Sequence, residues 1–200
     1  MVEITDISEQ KNKNRRNLYV DGKFFAGIEL ETLLKNKIKI GDEFSKEELE
    51  NIINESEKIV AFNKAVKYAL KGLKSEYEIR KNLKDKGYLT QTINEVVDKM
   101  KEYNYINDEV VVETYTNYFK EVYGKNKIKQ NLLLKRIDED VINKYLAYEE
   151  NDEKLKKTIE KYLKNKEKNL KTKQNLVNHL IYKGYKFDDF QSLLKEYFNG

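Results

Sequence analysis

The segment SEYEIRKNLKDKGY, residues 75–88, holds a helix start, an apolar stripe and a helix stop. Ser75 with a glutamate three residues later forms a capping box, in which hydroxyl and carboxylate satisfy free N–H groups at the helix start. Ile79 and Leu83 lie one helical turn apart and predict a buried stripe. Gly87 suits the left-handed position that ends a helix, because it has no Cβ to clash.

The pattern of this segment returns twice further along the chain, at steps of 49 and then 48 residues. The frame of the first copy is Ile79, Leu83, Lys86, Gly87, Tyr88, Ile93 and Val97. The second copy aligns Ile128, Leu132, Lys135, Arg136, Ile137, Ile142 and Leu146, and the third aligns Leu176, Leu180, Lys183, Gly184, Tyr185, Phe190 and Leu194. Apolar residues are kept at nearly every apolar position, which indicates an internal repeat.

Each copy is expected to fold as three helices. They are predicted near 58–72, 75–86 and 90–102, then near 108–123, 125–135 and 138–147, and finally near 152–167, 172–183 and 188–198. The predicted domains are an N-terminal part over 1–57 and repeats over 58–106, 107–151 and 152–200. Because about 48 residues bury too little surface to be stable alone, we expect stacked copies in an elongated, curved array.

The first 30 residues follow a strand period instead. Asp21-Gly22 between two β-rich runs is typical of a type I′ hairpin turn. Phe24, Ala26 and Ile28 alternate after it, which predicts one buried face. A further strand at the N-terminus would complete a three-stranded meander, and two short helices are expected before residue 58. The predicted fold class is therefore mainly α, with tandem three-helix repeats and a small N-terminal β hairpin or meander.

The composition favours a folded helical chain and excludes several kinds of site. Proline is absent, and 15 tyrosines and 8 phenylalanines are far more than a disordered chain would carry. The absence of cysteine excludes disulfides, thiolate nucleophiles and cysteine-ligated metals. A single histidine excludes a site of several histidines and makes a serine-histidine-aspartate triad a poor fit. We expect no catalytic site, no metal and no cofactor.

The charge of the chain is clustered, although its net value is only +4. Residues 154–173 hold nine lysines against two glutamates, and residues 120–136 hold six lysines or arginines against one glutamate. Clustered cations are typical of polyanion binding, but blocks of alternating sign are equally typical of solvated helix faces. The N-terminus has no signal-peptide pattern and no 18-residue apolar run spans a membrane, so we expect a cytoplasmic monomer.

The repeat motifs resemble those of RecX, the bacterial regulator of the RecA recombinase. The resemblance lies in the runs Gly72–Arg80 and Leu83–Tyr88, continues through Ile93, Val96-Val97, Met100 and Tyr105–Asp108, and includes Gly124–Ile128 and Leu132–Ile137. The N-terminal run Tyr19–Phe24 also fits, so the resemblance covers the whole chain. Two departures stand out: Arg136 replaces the usual glycine, and Val111-Val112 replaces an aromatic-alanine pair.

The resemblance implies a regulatory protein without a catalytic site, active in DNA repair, recombination and the SOS response. Proteins of this family associate with the RecA–DNA filament, along its helical groove. They restrain strand exchange, ATP hydrolysis and co-protease activity. Single-stranded or double-stranded DNA would then contact a basic face. The alternative left open by the residues is a stand-alone module that binds single-stranded nucleic acid without sequence preference.

Ten cations, spaced by the repeat, form the predicted ladder that faces phosphate or an acidic partner. They are Arg80, Lys81, Lys84, Lys125, Lys127, Lys129, Lys135, Arg136, Lys171 and Lys173. Solubility and the favourable placement of cations at helix ends offer the alternative explanation.

Tyrosines beside these cations could stack on unpaired bases. Tyr115 aligns with apolar frame positions and is predicted to be a core residue, whereas Tyr118 and Tyr123 fit either role. His179 shares its frame position with Asn82 and Asn131, which predicts an exposed face rather than a catalytic residue. The carboxylates of Asp138, Glu139 and Asp140 fall at a helix start, where capping is a better explanation than metal binding.

Overall fold

The computed structural model describes residues 1–148 and 152–198. The strands are β1 (Val2–Glu9), β2 (Arg15–Val20), β3 (Lys23–Glu29) and β4 (Glu43–Phe44). The helices are α1 (Leu30–Lys35), α2 (Lys46–Ala69), α3 (Glu76–Asp85), α4 (Thr90–Glu102), α5 (Asp108–Phe119), α6 (Lys125–Leu134), α7 (Glu139–Tyr145), α8 (Asp152–Leu163), α9 (Leu170–Tyr182) and α10 (Phe187–Phe198). One compact unit contains Met1–Gly72 and Ile79–Tyr105, and the other contains Leu73–Glu78 and the chain from Ile106 onward.

The strands form one antiparallel sheet in the order β3-β2-β1-β4. The hairpin between β2 and β3 turns at Asp21 and Gly22, whose φ angles of 49° and 77° match the predicted type I′ turn. The expected three-stranded meander is wrong in one respect, because β4 pairs with Val2 and Glu3 as a fourth strand. Two residues are too few to show a strand period in the sequence.

A β-bulge corrects the predicted face of β3. Leu18 pairs with Ala26, but Tyr19 pairs with Phe24, so Phe25 is an extra residue in the ladder. A bulge of this kind reverses the alternation of side chains beyond it. Phe24 is therefore 60% exposed rather than buried, while Phe25 packs against the core beneath the sheet.

The first unit is built around the sheet and α2. Its core under the sheet includes Ile4, Leu18, Ile28 and Leu49. The helix expected from Ser45 and the helix expected from residue 58 are in fact one continuous helix of 24 residues. Neither glycine nor proline interrupts it, and Ser56 in its middle is buried and accepts a 2.9 Å hydrogen bond from the N–H of Glu29 in β3.

The repeat frame is confirmed by burial. Leu83, Leu132 and Leu180 are all fully buried. Their neighbours one turn earlier are Ile79, Ile128 and Leu176, and these are fully buried as well. The second and third copies each have a core cluster of their own. The exact borders of the repeats stay a prediction, and the border at residue 151 lies outside the described residues.

The second helix of every copy ends at a residue in the left-handed conformation. The φ angles are 84° at Gly87, 56° at Arg136 and 92° at Gly184. Arg136 thus keeps the helix end although it lacks the freedom of glycine, and its N–H donates a 2.9 Å hydrogen bond to the carbonyl of Leu133. The departure at Arg136 changes the residue and leaves intact the backbone conformation that the other two copies have at this position.

Candidate functional site

The predicted cation Lys135 is part of a structural junction. Its Nζ donates to the Glu78 carboxylate at 2.8 Å and to the carbonyl of Leu73 at 3.2 Å. The Ser75 hydroxyl donates in return to the carbonyl of Lys135 at 2.7 Å. Lys135 therefore ties the start of α3 to the end of α6.

The same junction recurs one copy later. The Nζ of Lys183 donates to the carbonyl of Val122 at 3.2 Å, and the N–H of Gly124 donates to the carbonyl of Lys183 at 2.9 Å. In the repeat frame, Lys183 is equivalent to Lys135, Val122 to Leu73, and Gly124 to Ser75. Two junctions between consecutive copies thus use equivalent lysines and equivalent carbonyls.

The two junctions differ in how closely their helices approach. A Cβ on Gly184 would meet the backbone of Lys127, and a Cβ on Gly124 would lie 2.5 Å from the carbonyl oxygen of Gly184. Only glycine fits at these two positions of the second junction. Ser75 and Arg136 hold the equivalent positions of the first junction, which depends instead on hydrogen bonds of side chains.

The electrostatics of the first junction favour the charged form of Glu78. Burial alone would raise the pKa of this carboxyl. The hydrogen bonds from the Lys135 ammonium and from the N–H of Ser75 outweigh that effect and hold the pKa below its ordinary value. Glu78 and Ser75 also form the predicted capping box, because the N–H of Glu78 donates to the Ser75 hydroxyl at 3.3 Å and the N–H of Ser75 donates to the Glu78 carboxylate at 2.9 Å.

The cations of the first copy lie on α3. The guanidinium of Arg80 is half-buried and donates to the side chain of Asn94 in α4 at 2.7 Å. Lys81 and Lys84 are exposed. Arg80 therefore packs α3 against α4, while the two lysines are accessible to a partner.

The cations of α6 point to two different neighbours. The Lys129 ammonium pairs with Glu139 and donates to Asn143, both in α7. Lys125 lies 4.7 Å from the centre of the Tyr148 ring, just beyond α7. Lys127 lies instead over the ring of Tyr182 in α9, at 4.8 Å. The structure thus divides these three lysines between two sides of α6.

The remaining predicted cations differ in exposure. Arg136 and Lys171 are exposed, and Lys173 is half-buried with its ammonium 5.9 Å from the centre of the Phe198 ring. Lys81, Lys84, Arg136 and Lys171 are therefore the four exposed members of the predicted ladder.

The aromatic residues of α5 are mostly structural. Tyr115 is half-buried against the second core cluster, and its hydroxyl accepts a 2.9 Å hydrogen bond from Asn131. Burial raises the pKa of this hydroxyl. Tyr123 stacks on Phe119 at 5.6 Å between ring centres. Tyr118 is 74% exposed, so its ring is accessible to a partner.

The position shared by Asn82, Asn131 and His179 is half-buried in all three copies, so the predicted exposed face is wrong. These side chains lie against the preceding helix of their own copy in two cases: Asn131 bonds Tyr115, and the His179 ring lies 4.8 Å from that of Tyr162. In the second and third copies, the polar residue at this position therefore lies where the first and second helices of the copy pack together.

The acidic run after α6 is a helix cap, as expected. The Asp138 carboxylate accepts hydrogen bonds from the N–H groups of Asp140 and Val141 at 2.8 and 3.4 Å. Within residues 1–148 and 152–198, no three histidine, cysteine, aspartate or glutamate side chains are grouped to hold a metal ion.

A second basic surface was missed by residue-level reasoning from the sequence. A cleft of about 680 Å³ beside α8 and α9 is lined by six lysines and His179, against two glutamates. The nine lysines of 154–173 indicate this surface, but the predicted ladder contains only Lys171 and Lys173 of that run, and neither lines the cleft. The approach of α9 to α8 brings His179 and Lys183 to the lysines of α8.

Two family models match the chain. The model of the Regulatory protein RecX N-terminal domain covers residues 2–45, and that of the first three-helix domain of RecX covers residues 61–100. No helix in the described ranges combines the length and the apolar character that crossing a membrane requires.

Solved structures share the fold. One described as the crystal structure of regulatory protein RecX aligns with a TM-score of 0.67 at 22% identity, over 98% of this chain and all of the other. RecX from Lactobacillus salivarius aligns with a TM-score of 0.58 at 20% identity, over 70% of this chain and 96% of the other. The expected fold class, three-helix units with a small N-terminal strand element, is confirmed.

Relatives named Regulatory protein RecX match along the full length. The protein from Clostridium perfringens (strain SM101 / Type A) is 35% identical over all of this chain and 98% of its own length. The protein from Clostridioides difficile (strain 630) is 34% identical over 98% of this chain and 96% of its own length. The predicted resemblance is thereby confirmed, and the chain belongs to the RecX family of regulatory proteins.

Proposed function

We propose that this protein binds the RecA–DNA filament and modulates the recombinase, mostly by inhibiting its recombinase, ATPase and co-protease activities. The observation that carries the proposal is the full-length match to proteins named Regulatory protein RecX. The protein acts as a binding partner in the cytoplasm, as a monomer, without chemistry of its own.

The exposed cations Lys81, Lys84, Arg136 and Lys171 support contact with a negatively charged partner. Exposed lysine and arginine side chains speed the encounter with an acidic surface or with phosphate, and they do so without holding the fold together. Lys135 and Lys129 are less suited to this role, because each already pairs with a carboxylate.

The test is a titration of the protein into preformed RecA–single-stranded-DNA filaments while ATP hydrolysis is followed. We expect hydrolysis to slow when the protein is far below the concentration of DNA-binding sites, because a filament modulator acts on the assembly. If hydrolysis slows only once the protein is abundant enough to cover the DNA, the stand-alone nucleic-acid-binding alternative is correct. If hydrolysis is unchanged at every concentration, the protein does not modulate the filament's ATPase and the proposed function is wrong.

A further inference from the structure

Two exposed apolar pairs hold equivalent positions at the ends of α6 and α9. They are Leu133-Leu134 and Ile181-Tyr182, which align in the repeat frame. Leu134 is 78% exposed and Tyr182 is 70% exposed, whereas the first copy has the charged pair Lys84-Asp85 at this position. Single apolar residues scattered over a surface are ordinary. An apolar pair that recurs at the same position in consecutive copies indicates a surface that a partner covers.

The second junction places Tyr182 and Leu134 on one surface. A Cβ on Gly184 would meet the backbone of Lys127, and the Lys127 ammonium lies 4.8 Å from the centre of the Tyr182 ring. Tyr182 therefore lies beside the start of α6. Leu134 follows Lys127 by seven residues, about two helical turns, so these two side chains share one face of α6. Because a helix rises 1.5 Å per residue, Tyr182 and Leu134 are about 10 Å apart along α6.

The charge around these two side chains has one sign. From Lys125 to Arg136 the chain carries five cations and no carboxylate, and α9 carries two lysines and no carboxylate. Lys127 lies beside Tyr182, and the exposed Arg136 follows Leu134 by two residues. Each exposed apolar side chain thus has a cation close to it. Lys127, Leu134, Arg136 and Tyr182 together form the α6–α9 surface, and a partner that complements it carries negative charge.

We propose that the α6–α9 surface binds an acidic amphipathic helix of a protein partner. Two apolar side chains of that helix, seven residues apart, pack on Tyr182 and Leu134, and its carboxylates face Lys127 and Arg136. Amphipathic helices are recognised through apolar side chains three, four and seven residues apart. Seven residues of helix span about 10 Å, which matches the separation of Tyr182 and Leu134.

The exposed leucine favours a protein helix over a nucleic-acid strand. A strand would pair with the two cations, but it would place phosphate groups against the Leu134 side chain, which offers them no hydrogen bond. Apolar side chains of a helix instead remove the surfaces of Leu134 and Tyr182 from water. The inference goes beyond the proposed function, because it assigns a partner chemistry to residues outside the exposed cations and can be tested without the recombinase.

The first test uses the wild-type protein and two labelled peptides, each about five helical turns long and built from glutamate and alanine. The probe peptide has two leucines seven residues apart, and the control peptide has the same composition with the second leucine moved by two residues, onto another face of the helix. Fluorescence anisotropy measures the binding of both. We expect the probe to bind about tenfold more tightly, because it buries one more leucine than the control.

The second test locates the site with variants of this chain. L134S/Y182S removes both apolar contacts, and the control L34S/L89S removes two leucines of the first unit that are 70% and 69% exposed. We expect the L134S/Y182S variant to bind the probe peptide at least about tenfold more weakly than wild type, with the control unchanged. Circular dichroism melting checks that both variants remain folded, and the comparison of the two peptides needs no variant.

Three results would overturn the inference. The first is equal binding of the two peptides, because negative charge without apolar spacing would then suffice. The second is an equal loss of probe binding in L134S/Y182S and L34S/L89S. The third is a loss of oligo-dT binding in L134S/Y182S as large as its loss of peptide binding, which would assign the surface to nucleic acid. The filament ATPase assay reports separately on the proposed function.

Discussion

At the scale of the residue, Lys135 was chosen from the sequence for its charge, and the structure gives that charge a structural role. Its side chain and that of Glu78 are only 20% and 24% exposed. Replacing Lys135 with alanine leaves the carboxylate without its ammonium partner, and we expect a loss of about 1–3 kcal/mol in the free energy of unfolding. Lys81→Ala on exposed α3 surface is the matched control and should stay within about 0.5 kcal/mol of wild type. Urea denaturation followed by circular dichroism measures the unfolding free energy of both variants. Equal losses in the two would show that the Lys135 side chain does not stabilise the junction.

The same ion pair predicts a dependence of stability on pH. Because the pKa of Glu78 is lower in the folded protein than its ordinary value of 4.5, its contribution is complete above that value and is lost as pH falls through the folded-state pKa. The difference in unfolding free energy between wild type and Lys135→Ala should therefore shrink in acid. Urea denaturation of both proteins at a series of pH values checks this, and a difference independent of pH would contradict it.

Residues differ in how far the sequence predicts them. The burial of Leu83, Leu132 and Leu180 can be predicted from the sequence, because apolar residues spaced by one helical turn lie on the same face of a helix. Exposure of Phe24 depends on a bulge, which appears only when two strands are paired. The role of Lys135 depends on Leu73, 62 residues away. The sequence specifies such distant contacts, but no local pattern reveals them.

At the scale of the element, α6 offers a direct test of the repeat frame. Leu132 is fully buried, whereas Leu134 two residues later is 78% exposed. We expect Leu132→Ala to lower the free energy of unfolding by about 2–5 kcal/mol, since it leaves a cavity in a packed core. Leu134→Ala makes the same chemical change and should cost less than about 0.5 kcal/mol. Similar melting temperatures for the two variants would show that the frame does not mark the core.

Substitutions at the ends of α3 and α9 can test how closely Gly184 approaches the backbone of Lys127 at the second junction. Gly87 and Gly184 hold the same frame position with φ angles of 84° and 92°, so alanine is strained by about 1–2 kcal/mol at either one. Only at Gly184 does a Cβ meet the backbone of Lys127, whereas nothing lies within 4 Å of a Cβ at Gly87. We expect Gly184→Ala to cost about 1–3 kcal/mol more than Gly87→Ala. Chemical denaturation measures the difference, and equal costs would mean that the second junction is loosely packed.

Elements were predicted well where the helical period is strong and poorly where tertiary contacts set their limits. The helices from α3 to α10 begin and end within a few residues of their predicted bounds. Strand β4 was missed because only its pairing with β1 defines it. The cleft beside α8 and α9 is only partly predictable: five of its six lysines lie in the basic run 154–173, but the cavity itself forms only when α9 packs beside α8.

At the scale of the whole molecule, regulation of a filament should depend on exposed charge rather than on charge committed to the fold. We expect K81E/K84E/R136E to weaken restraint of the RecA ATPase, because these three side chains are exposed cations of the predicted ladder. K11E/K13E/K23E changes the net charge equally and is the control. Each exposed ion pair is worth about 0–1 kcal/mol, so the loss should be graded, with single reversals giving smaller effects than the triple.

The salt dependence of the K81E/K84E/R136E effect shows whether the weaker restraint comes from the lost charges or from a folding defect. Exposed charges act through a field that salt screens beyond about 10 Å at 0.1 M, so the gap between wild type and K81E/K84E/R136E should narrow as salt rises. A folding defect would instead lower the melting temperature and persist at high salt. If the variant melts like wild type and restrains the ATPase at the same concentration as wild type, the exposed ladder does not contact the filament. The next basic surface to test in the same assay would then be the cleft beside α8 and α9, through Lys161, Lys164 and Lys166.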